Sequence, residues 1–437
     1  MATVTGTGSV TALAAEQLMP HRETRLWHSQ AHMPTVKHAE RVIVRGEGAH
    51  VYTDDGLKLL DTPASLWYCN VGHGRGEIVD AVAKQMRTLE AYSNFQQFAT
   101  LPSLELADRV AAISPVRNPK VFLTSGGSDS VDLAAKLARR LWHATGRPEK
   151  RLIVTRSNGY HGLHAFGTSI SGIESNNAGY GTLIADTARV AMNDPGALQA
   201  LIDERGADTV AAFFCEPIVG AGGIFHPAPG YLEAVQEICR KHEILFVVDE
   251  VITGFGRTGT MFASERFGIR PDIMLLAKGI TSGYLPLGAA VIGERVWEPF
   301  WADDSELLFR HGITYSGHAS ACAAAHANLD ILQREGLVQR VRSLETVLEA
   351  ALRPLESHAL VREVRSGIGL LTAIELHDRA VAARVAERCI EHGVVGRQLG
   401  DGSLHISPPF VITEAEIATL AEVIGEALDW ATRGSGD

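Results

Sequence analysis

The chain has 437 residues, of which 46% are hydrophobic, and its 51 acidic and 40 basic residues give a net charge of −11. This length and composition predict a globular protein with a large core and two or three domains. The acidic balance argues against a nucleic-acid partner, since binding phosphates requires a basic face that no run here supplies. No apolar run approaches the ~18 residues of a membrane span, so we expect neither membrane insertion nor secretion.

The five cysteines are odd in number and show no C-x-x-C or Cys/His metal spacing. Neither a disulfide framework nor a zinc site is therefore indicated. A reducing compartment suits such a chain best, and we expect a cytoplasmic location.

The first part of the chain combines an arm, a small sheet and a loop. The small and polar residues 1 to about 18 predict a mobile arm or a disordered tail. Residues 41–61 contain three short strand patterns around a turn, typical of an antiparallel meander. The segment 65–75 is too rich in glycine and aromatic residues for a regular element. Taken by itself, its Trp67 is expected to be part of the core.

A strand, a glycine turn and a helix follow one another at residues 121–142. The free N–H groups and the positive end of the helix dipole make such a turn suitable for binding a phosphate. Gly127 allows close approach and Ser128 adds a hydroxyl, although Ser128 as an ordinary helix N-cap is the alternative.

Further buried strands are predicted by the apolar runs at 151–155, 209–215, 244–248, 272–277 and 288–292. The polar stretch 162–194 is long for a loop without structure and therefore suggests a functional loop. Residues 297–309 predict a surface turn and loop. From residue 337 onwards the pattern alternates helix and strand, and it closes with an amphipathic helix at 414–430.

Two of these strands end in a single ionisable group, Asp249 in one and Lys278 in the other. Ligands bind outside the carboxyl ends of strands in open α/β sheets, so both groups can face the same ligand. A buried ion pair is the alternative. An amine and a carboxylate are what pyridoxal phosphate requires, the first for a Schiff base and the second to keep the pyridine nitrogen protonated.

Six motifs extend this prediction over nearly the whole chain. In order they are Gly126-Gly127-Ser128-Asp129-Ser130, Tyr160-His161-Gly162, Glu216-Pro217-Ile218, Asp249-Glu250-Val251, Lys278-Gly279 and Thr314-Tyr315-Ser316-Gly317-His318. The set resembles class III aminotransferases of the omega-transaminase kind. One departure is Asp129-Ser130, where the family usually has Glu and then Ala.

The resemblance implies pyridoxal 5'-phosphate as cofactor and an α/β fold of the aspartate-aminotransferase-like type, fold type I. A large, mostly parallel, seven-stranded domain would span residues 67–324. A small α+β domain would be built from both chain ends, 1–66 and 325–437.

The resemblance also implies roles for particular residues. Lys278 and Asp249 would be catalytic, and the predicted cofactor-binding residues are Gly127, Ser128, Tyr160, His161, Glu216, Asp249, Val251, Lys278 and Thr314. Thr314 would bind the cofactor phosphate of the partner subunit, which implies a homodimer and leaves a tetramer open.

Three residues would form the substrate pocket: Trp67, Tyr92 and Arg397. As in omega-transaminases, Arg397 would bind a substrate carboxylate and withdraw for an uncharged amine. The alternative is that Arg397 is a surface arginine paired with Asp401.

The implied reaction is a ping-pong transfer of an amino group from an amine or omega-amino acid to pyruvate or 2-oxoglutarate. An enzyme for an ornithine- or gamma-aminobutyrate-type amino acid is an alternative, as is an aminomutase or decarboxylase of the same family. A non-catalytic relative is a further alternative, against which the retention of Lys278 and Asp249 argues.

Overall fold

The computed structural model describes residues 24–433, so the arm predicted at residues 1–18 lies outside the described part. The strands are β1 (Ile43–Glu47), β2 (His50–Thr53), β3 (Lys58–Leu60), β4 (Lys120–Thr124), β5 (Leu152–Arg156), β6 (Thr187–Val190), β7 (Val210–Cys215), β8 (Leu245–Asp249), β9 (Ile273–Leu276), β10 (Gly288–Ile292), β11 (Val361–Ile368), β12 (Leu371–Leu376) and β13 (Leu404–Ile406).

The helices between them range from single turns to twenty residues. They are α1 (Met33–Val36), α2 (Ala64–Trp67), α3 (Gly76–Thr88), α4 (Leu101–Ile113), α5 (Gly127–Ala144), α6 (Ala165–Ile170), α7 (Pro195–Arg205), α8 (Tyr231–Lys241), α9 (Ala263–Arg266), α10 (Glu294–Trp301), α11 (Ala319–Arg334), α12 (Leu337–Leu352), α13 (Arg379–Glu391) and α14 (Glu414–Arg433).

The central sheet has seven strands in the order β4-β10-β9-β8-β7-β5-β6. Only β10 runs antiparallel to its neighbours, so the predicted mostly parallel sheet is confirmed. Every residue of β7, β8, β9 and β10 is buried, as expected for a sheet that is covered on both faces. The parallel register pairs Asp249 with Leu275, and this pairing brings the end of β8 beside the end of β9.

Helix α5 covers one face of this sheet with an apolar stripe. Val131, Leu137 and Leu141 are buried there, and the Trp142 indole nitrogen donates to the carbonyl of Ala211 at 2.9 Å. Helix α8 covers the opposite face. The start of α5 is thereby fixed against the carboxyl ends of the strands.

Two three-stranded antiparallel sheets lie outside the central one, β1-β2-β3 and β11-β12-β13. The predicted meander is therefore confirmed. Leu60 bridges to Val394, with backbone hydrogen bonds from Leu60 to Gly393 and from Val395 to Leu60, so the two chain ends meet. The predicted domain boundaries after residues 66 and 324 fall within α2 and α11, and these boundaries stay a prediction.

Two predictions about local structure were wrong or incomplete. The stretch 162–194 contains α6 and β6, and residues 297–301 belong to α10 rather than to a surface turn. In α10 the buried Val296, with Trp297 and Phe300, packs against the central core, so tertiary packing stabilises a helix despite Pro299. Helix α4 was not predicted at all.

Within residues 24–433, no helix is long and apolar enough to cross a membrane. All five cysteines are free and buried. The predicted cytoplasmic location stays a prediction.

Candidate active site

A cavity opens at the carboxyl ends of the central strands and at the start of α5. Its lining includes eight of the nine predicted cofactor-binding residues, namely Gly127, Ser128, Tyr160, His161, Glu216, Asp249, Val251 and Lys278. They come from five separate places in the sequence. The sheet topology thus brings them to one site.

Lys278 follows β9 and begins a short 3-10 helix, Lys278–Ile280. Its backbone has a φ of 48°, a left-handed conformation that is uncommon for a residue with a side chain. Burial lowers the pKa of the Lys278 amine from 10.5 to about 8, although the charges of Asp249 and Glu216 act in the opposite direction. A large fraction of this amine is therefore neutral near pH 8 and able to act as a base or a nucleophile.

Asp249 is buried and hydrogen-bonded on both of its carboxylate oxygens. Its Oδ2 lies 2.9 Å from Nδ1 of His161, and its Oδ1 accepts from the backbone N–H of Val251 at 3.1 Å. Since a carboxylate only accepts, His161 donates from Nδ1. Nε2 of His161 lies 3.1 Å from Oγ1 of Thr155, which fixes the ring. The described chain shows no ion pair between Asp249 and Lys278, so the simple ion-pair alternative is not observed.

Glu216 is buried and binds backbone rather than side chains. It accepts from the N–H groups of Tyr160 at 2.9 Å and Gly220 at 2.8 Å. Burial raises the pKa of Glu216 above its ordinary value, and these bonds oppose the rise. Glu216 therefore fixes the segment that presents Tyr160 to the cavity.

The start of α5 offers several donors to an anion. Helix α5 begins at Gly127, and the Ser125 hydroxyl just before it is buried without a hydrogen-bond partner among the described residues. A Cβ at Gly127 would lie 3.1 Å from the methyl groups of Val251, so glycine keeps this part of the cavity open. The free N–H groups and the unpaired hydroxyl fit the phosphate ester of pyridoxal phosphate. Asp129 instead accepts from the N–H of Ser125, a local hydrogen bond.

Trp67 and Arg397 lie together beside the cavity, although neither lines it. Trp67 is only 3% exposed. Nζ of Lys278 lies 5.3 Å from the centre of its ring system, and Cζ of Arg397 lies 4.5 Å from that centre. The Ala64–Trp67 turn has positive φ at Ala64, Ser65 and Trp67, so the prediction of an irregular loop is confirmed.

Asp401, the alternative partner of Arg397, is bound elsewhere. Its carboxylate pairs with Nη2 of Arg365 at 2.5 Å, while Nη1 of Arg397 lies 3.2 Å from Nδ1 of His405. Arg397 is half-buried. The interpretation of Arg397 as a surface arginine paired with Asp401 was therefore wrong.

Tyr92 and Thr314 lie apart from the cavity of their own chain. Tyr92 is 53% exposed and packs edge-on against Phe98. Thr314 is exposed in the turn before α11. A single chain does not bring these two predicted residues to the other site residues.

Sequence reasoning missed His405 and Thr155 as parts of the site. His405 is a buried polar residue on β13 between the buried Leu404 and Ile406. Side chains alternate along a strand, so His405 faces away from these two neighbours and toward Trp67. A polar residue between two apolar ones in a short strand was the available signal. For Thr155, at the end of a predicted strand, no comparable signal exists.

Comparisons with known proteins identify the family of this chain. The family model of the class III aminotransferases matches residues 32–428. The putrescine–pyruvate aminotransferase of Pseudomonas aeruginosa is 37% identical over 418 residues, which are 89% of this chain and 90% of the relative. The omega-amino acid–pyruvate aminotransferase of Pseudomonas putida is 36% identical over 89% of this chain and 92% of its own length.

Solved structures show the same fold. The omega transaminase of Pseudomonas jessenii, in complex with PMP, superposes with a TM-score of 0.90 at 34% sequence identity, and the match covers 94% of this chain and 98% of that one. Fold type I is thereby confirmed, and so is the dependence on pyridoxal phosphate, which is common to the family. The chain belongs to the class III aminotransferases.

Proposed function

We propose that this aminotransferase is an omega-transaminase that moves an amino group from an amine or omega-amino acid to pyruvate. The names of the two Pseudomonas relatives support this substrate class, because they pair putrescine or an omega-amino acid with pyruvate. The observation that carries the proposal is the contact of both Lys278 and Arg397 with the ring system of Trp67. A catalytic amine and a group able to bind an acid thus share one wall.

Arg397 has the chemistry of a carboxylate receptor. A guanidinium presents parallel N–H donors that match a carboxylate bidentately. In the described chain Arg397 forms no ion pair, and its side-chain hydrogen bond goes to His405. We also propose that Arg397 withdraws when the substrate is an uncharged amine. Gly396 packs against the backbone of Ala386 with no room for a Cβ, so the backbone beside Arg397 is closely packed and the withdrawal involves the side chain of Arg397.

The pairing of the nearby arginines favours an acceptor with one carboxylate, such as pyruvate, over 2-oxoglutarate, which has two. Arg257 donates to three backbone carbonyls and to the side chain of Asn70. Arg365 is paired with Glu375 and Asp401. Of these three arginines in one described chain, only Arg397 is available to a substrate. An enzyme for gamma-aminobutyrate- or ornithine-type amino acids with 2-oxoglutarate is the second candidate, and it would need a further cation.

The residues of the cavity have separable roles. When bound, pyridoxal phosphate supplies an aldehyde that condenses with amines and a ring that accepts electrons. The start of α5, with Gly127 and Ser128, would hold its phosphate, and Asp249 would hold the proton on the pyridine nitrogen. Tyr160 and Val251 would lie against its two faces. Nζ of Lys278 would take the proton from the substrate carbon and deliver it to the cofactor, because the lowered pKa of its amine lets it both accept and release a proton near pH 8.

We further propose a homodimer with shared active sites. Exposed apolar side chains cluster in the segments 92–104 and 312–317, namely Tyr92, Phe95, Phe98, Leu101, Leu104 and Tyr315. The side-chain amide of Asn94 donates to the carbonyl of Ser316 at 3.2 Å, which joins the two segments into one surface. Apolar surfaces of this kind mark contacts between proteins. Tyr92 and Thr314 on this surface would complete the partner's site, and a tetramer of two dimers is the larger assembly.

A panel of amine donors against pyruvate and 2-oxoglutarate tests the proposed reaction. We expect transfer from putrescine, omega-amino acids and simple aryl-alkyl amines to pyruvate, with 2-oxoglutarate a poorer acceptor. A strict requirement for 2-oxoglutarate would favour the second candidate. Release of carbon dioxide or isomerisation of the donor, without amino transfer, would identify a decarboxylase or aminomutase.

The carboxylate role of Arg397 is tested by Arg397→Ala. Losing one charge-assisted, partly desolvated pair costs on the order of 2–4 kcal/mol for acids only. We therefore expect a sharp rise in KM for pyruvate and alanine, with an almost unchanged half-reaction of an uncharged aryl-alkyl amine. Arg362→Ala, at an exposed position of β11, is the control. Equal losses for acids and amines would contradict the role.

A further inference from the structure

His405 contacts both Trp67 and Arg397 of the proposed substrate site. It is 1% exposed, and its ring centre lies 4.2 Å from that of Trp67 with an angle of 33° between the planes. Its Nδ1 lies 3.2 Å from Nη1 of Arg397, and its backbone N–H donates to the carbonyl of Arg397 at 2.8 Å. The imidazole therefore contacts both groups that form the substrate wall.

The hydrogen bonds fix which tautomer is present. A guanidinium carries only donors, so Nδ1 of His405 has to accept. The ring proton is then on Nε2, which donates to Oγ of Ser407. Burial, with the positive charges of Arg397, Arg257 and Lys278, lowers the pKa of His405 well below its ordinary value. The ring is neutral in its buried position.

A neutral partner has a different effect on Arg397 from that of a carboxylate. A carboxylate would hold the guanidinium but also satisfy its charge, and a substrate acid would then have to displace it. Asp401, the nearest carboxylate along the segment, is bound to Arg365 at 2.5 Å and to the hydroxyl of Ser403 at 2.6 Å. His405 orients one N–H of Arg397 and leaves its positive charge without a counterion among residues 24–433.

We propose that His405 is a positioning residue that determines the preference of this enzyme for carboxylate-bearing substrates. By accepting from Arg397 while its ring packs at a tilt against Trp67, it holds the guanidinium over the indole, within reach of an acid, without neutralising it. This inference rests on the proposed carboxylate role of Arg397.

The test compares a variant that loses the hydrogen-bond acceptor with one that keeps it. His405→Phe keeps an aromatic ring against Trp67 but removes the acceptor, and His405→Asn places an amide oxygen where Nδ1 stood. We expect His405→Phe to raise KM for pyruvate and alanine by roughly tenfold, the loss of one hydrogen bond to a charged group, with kcat little changed. The half-reaction of an uncharged aryl-alkyl amine should stay within twofold. His405→Asn should restore most of the affinity for acids.

Two further variants test the same interaction between His405 and Arg397. Ser407→Ala removes the acceptor for the Nε2 proton while His405 stays in place, and it should raise KM for pyruvate in the same direction by a smaller factor. In the double variant of His405→Phe with Arg397→Ala, acids should bind no worse than with Arg397→Ala alone, because both changes remove the same interaction.

The outcomes separate this inference from the proposed function. If Arg397→Ala raises KM for acid substrates but His405→Phe does not, the role of His405 is refuted and that of Arg397 stands. If His405→Phe does not fold, Ser407→Ala takes its place in this comparison. Equal losses for acids and amines in His405→Phe also refute it, since they indicate a general structural defect. If Arg397→Ala has no effect on acids, the proposed function itself fails.

Discussion

At the residue scale, the lowered pKa of Lys278 has a measurable consequence. Below a pH of about 8 its amine is protonated and unable to attack an aldehyde, and above that pH it is neutral. Capture of pyridoxal phosphate by the cofactor-free enzyme should therefore accelerate as the pH rises and level off above about 8. An exposed lysine would continue to accelerate toward its ordinary pKa of 10.5. Stopped-flow absorbance from about pH 6 to about pH 10 distinguishes these two profiles.

Lys278→Ala is the matching control for that measurement. It should abolish turnover yet leave the fold and some noncovalent cofactor binding, since the proposed phosphate site at the start of α5 does not involve Lys278. Borohydride should attach the cofactor covalently to one peptide of the unmodified enzyme. A labelled peptide without Lys278 would refute the central assignment.

Asp249 can be tested by a change that keeps its size. In Asp249→Asn an amide replaces the carboxylate that accepts from His161 and Val251, and a neutral amide cannot hold the pyridine proton by charge. The half-reaction with an amine donor should slow on the order of 10²- to 10³-fold, while cofactor occupancy changes less. Asp272→Asn, at the other end of the neighbouring strand, is the control and should leave the half-reaction intact. Unchanged rates in Asp249→Asn would remove Asp249 from the anchor role.

At the scale of elements, the segment 397–403 is fixed to β11 and to the loop after β7 by one buried arginine. Arg365 donates from Nε to the carbonyl of Gly223 at 2.8 Å and pairs with Glu375 and Asp401, both at 2.5 Å. Its side chain is only 6% exposed. Through Asp401, this arginine therefore anchors the segment that carries Arg397.

Removing that arginine should loosen the segment. Arg365→Met removes the ion pair of the partly buried Asp401 and one of the two ion pairs of Glu375, which should lower the free energy of unfolding by about 3 kcal/mol. Hydrogen exchange in 397–403 should become faster, and KM for pyruvate should rise. Arg362→Met is the matched control on the same strand, where the exposed pair with Glu375 should contribute less than about 1 kcal/mol. Equal effects of the two variants would show that Arg365 does not anchor the segment.

At the scale of the whole molecule, the proposed dimer links assembly to the cofactor. If Thr314 binds the phosphate in the partner's site, dilution to the monomer should release pyridoxal phosphate and activity together. Sedimentation at several concentrations, read beside the absorbance of the cofactor, measures this. Charged substitutions in the exposed cluster, such as Leu101→Glu, should shift the transition to higher protein concentration. A fully active, cofactor-loaded monomer would refute the shared site.

The sequence by itself determined six of the seven strands of the central sheet and, through the resemblance to the family, most of the predicted cofactor site. Asp249 and Lys278 follow apolar runs without alternation, and this local pattern reports burial on both faces of a sheet. Once the strands are parallel, their charged ends meet at one edge. The glycine turn before α5 is likewise a local signal, because only a few residue types allow a chain to begin a helix around an anion.

Only the tertiary structure decided what surrounds Arg397. Trp67 and His405 are far apart in the sequence, and so are Arg365 and Asp401, yet each pair is in contact. No local periodicity encodes such contacts, because they arise where the two chain ends pack beside the central sheet. For the same reason α10 was predicted as a loop: its sequence contains Pro299, and packing of its apolar side chains against the core outweighs that local preference.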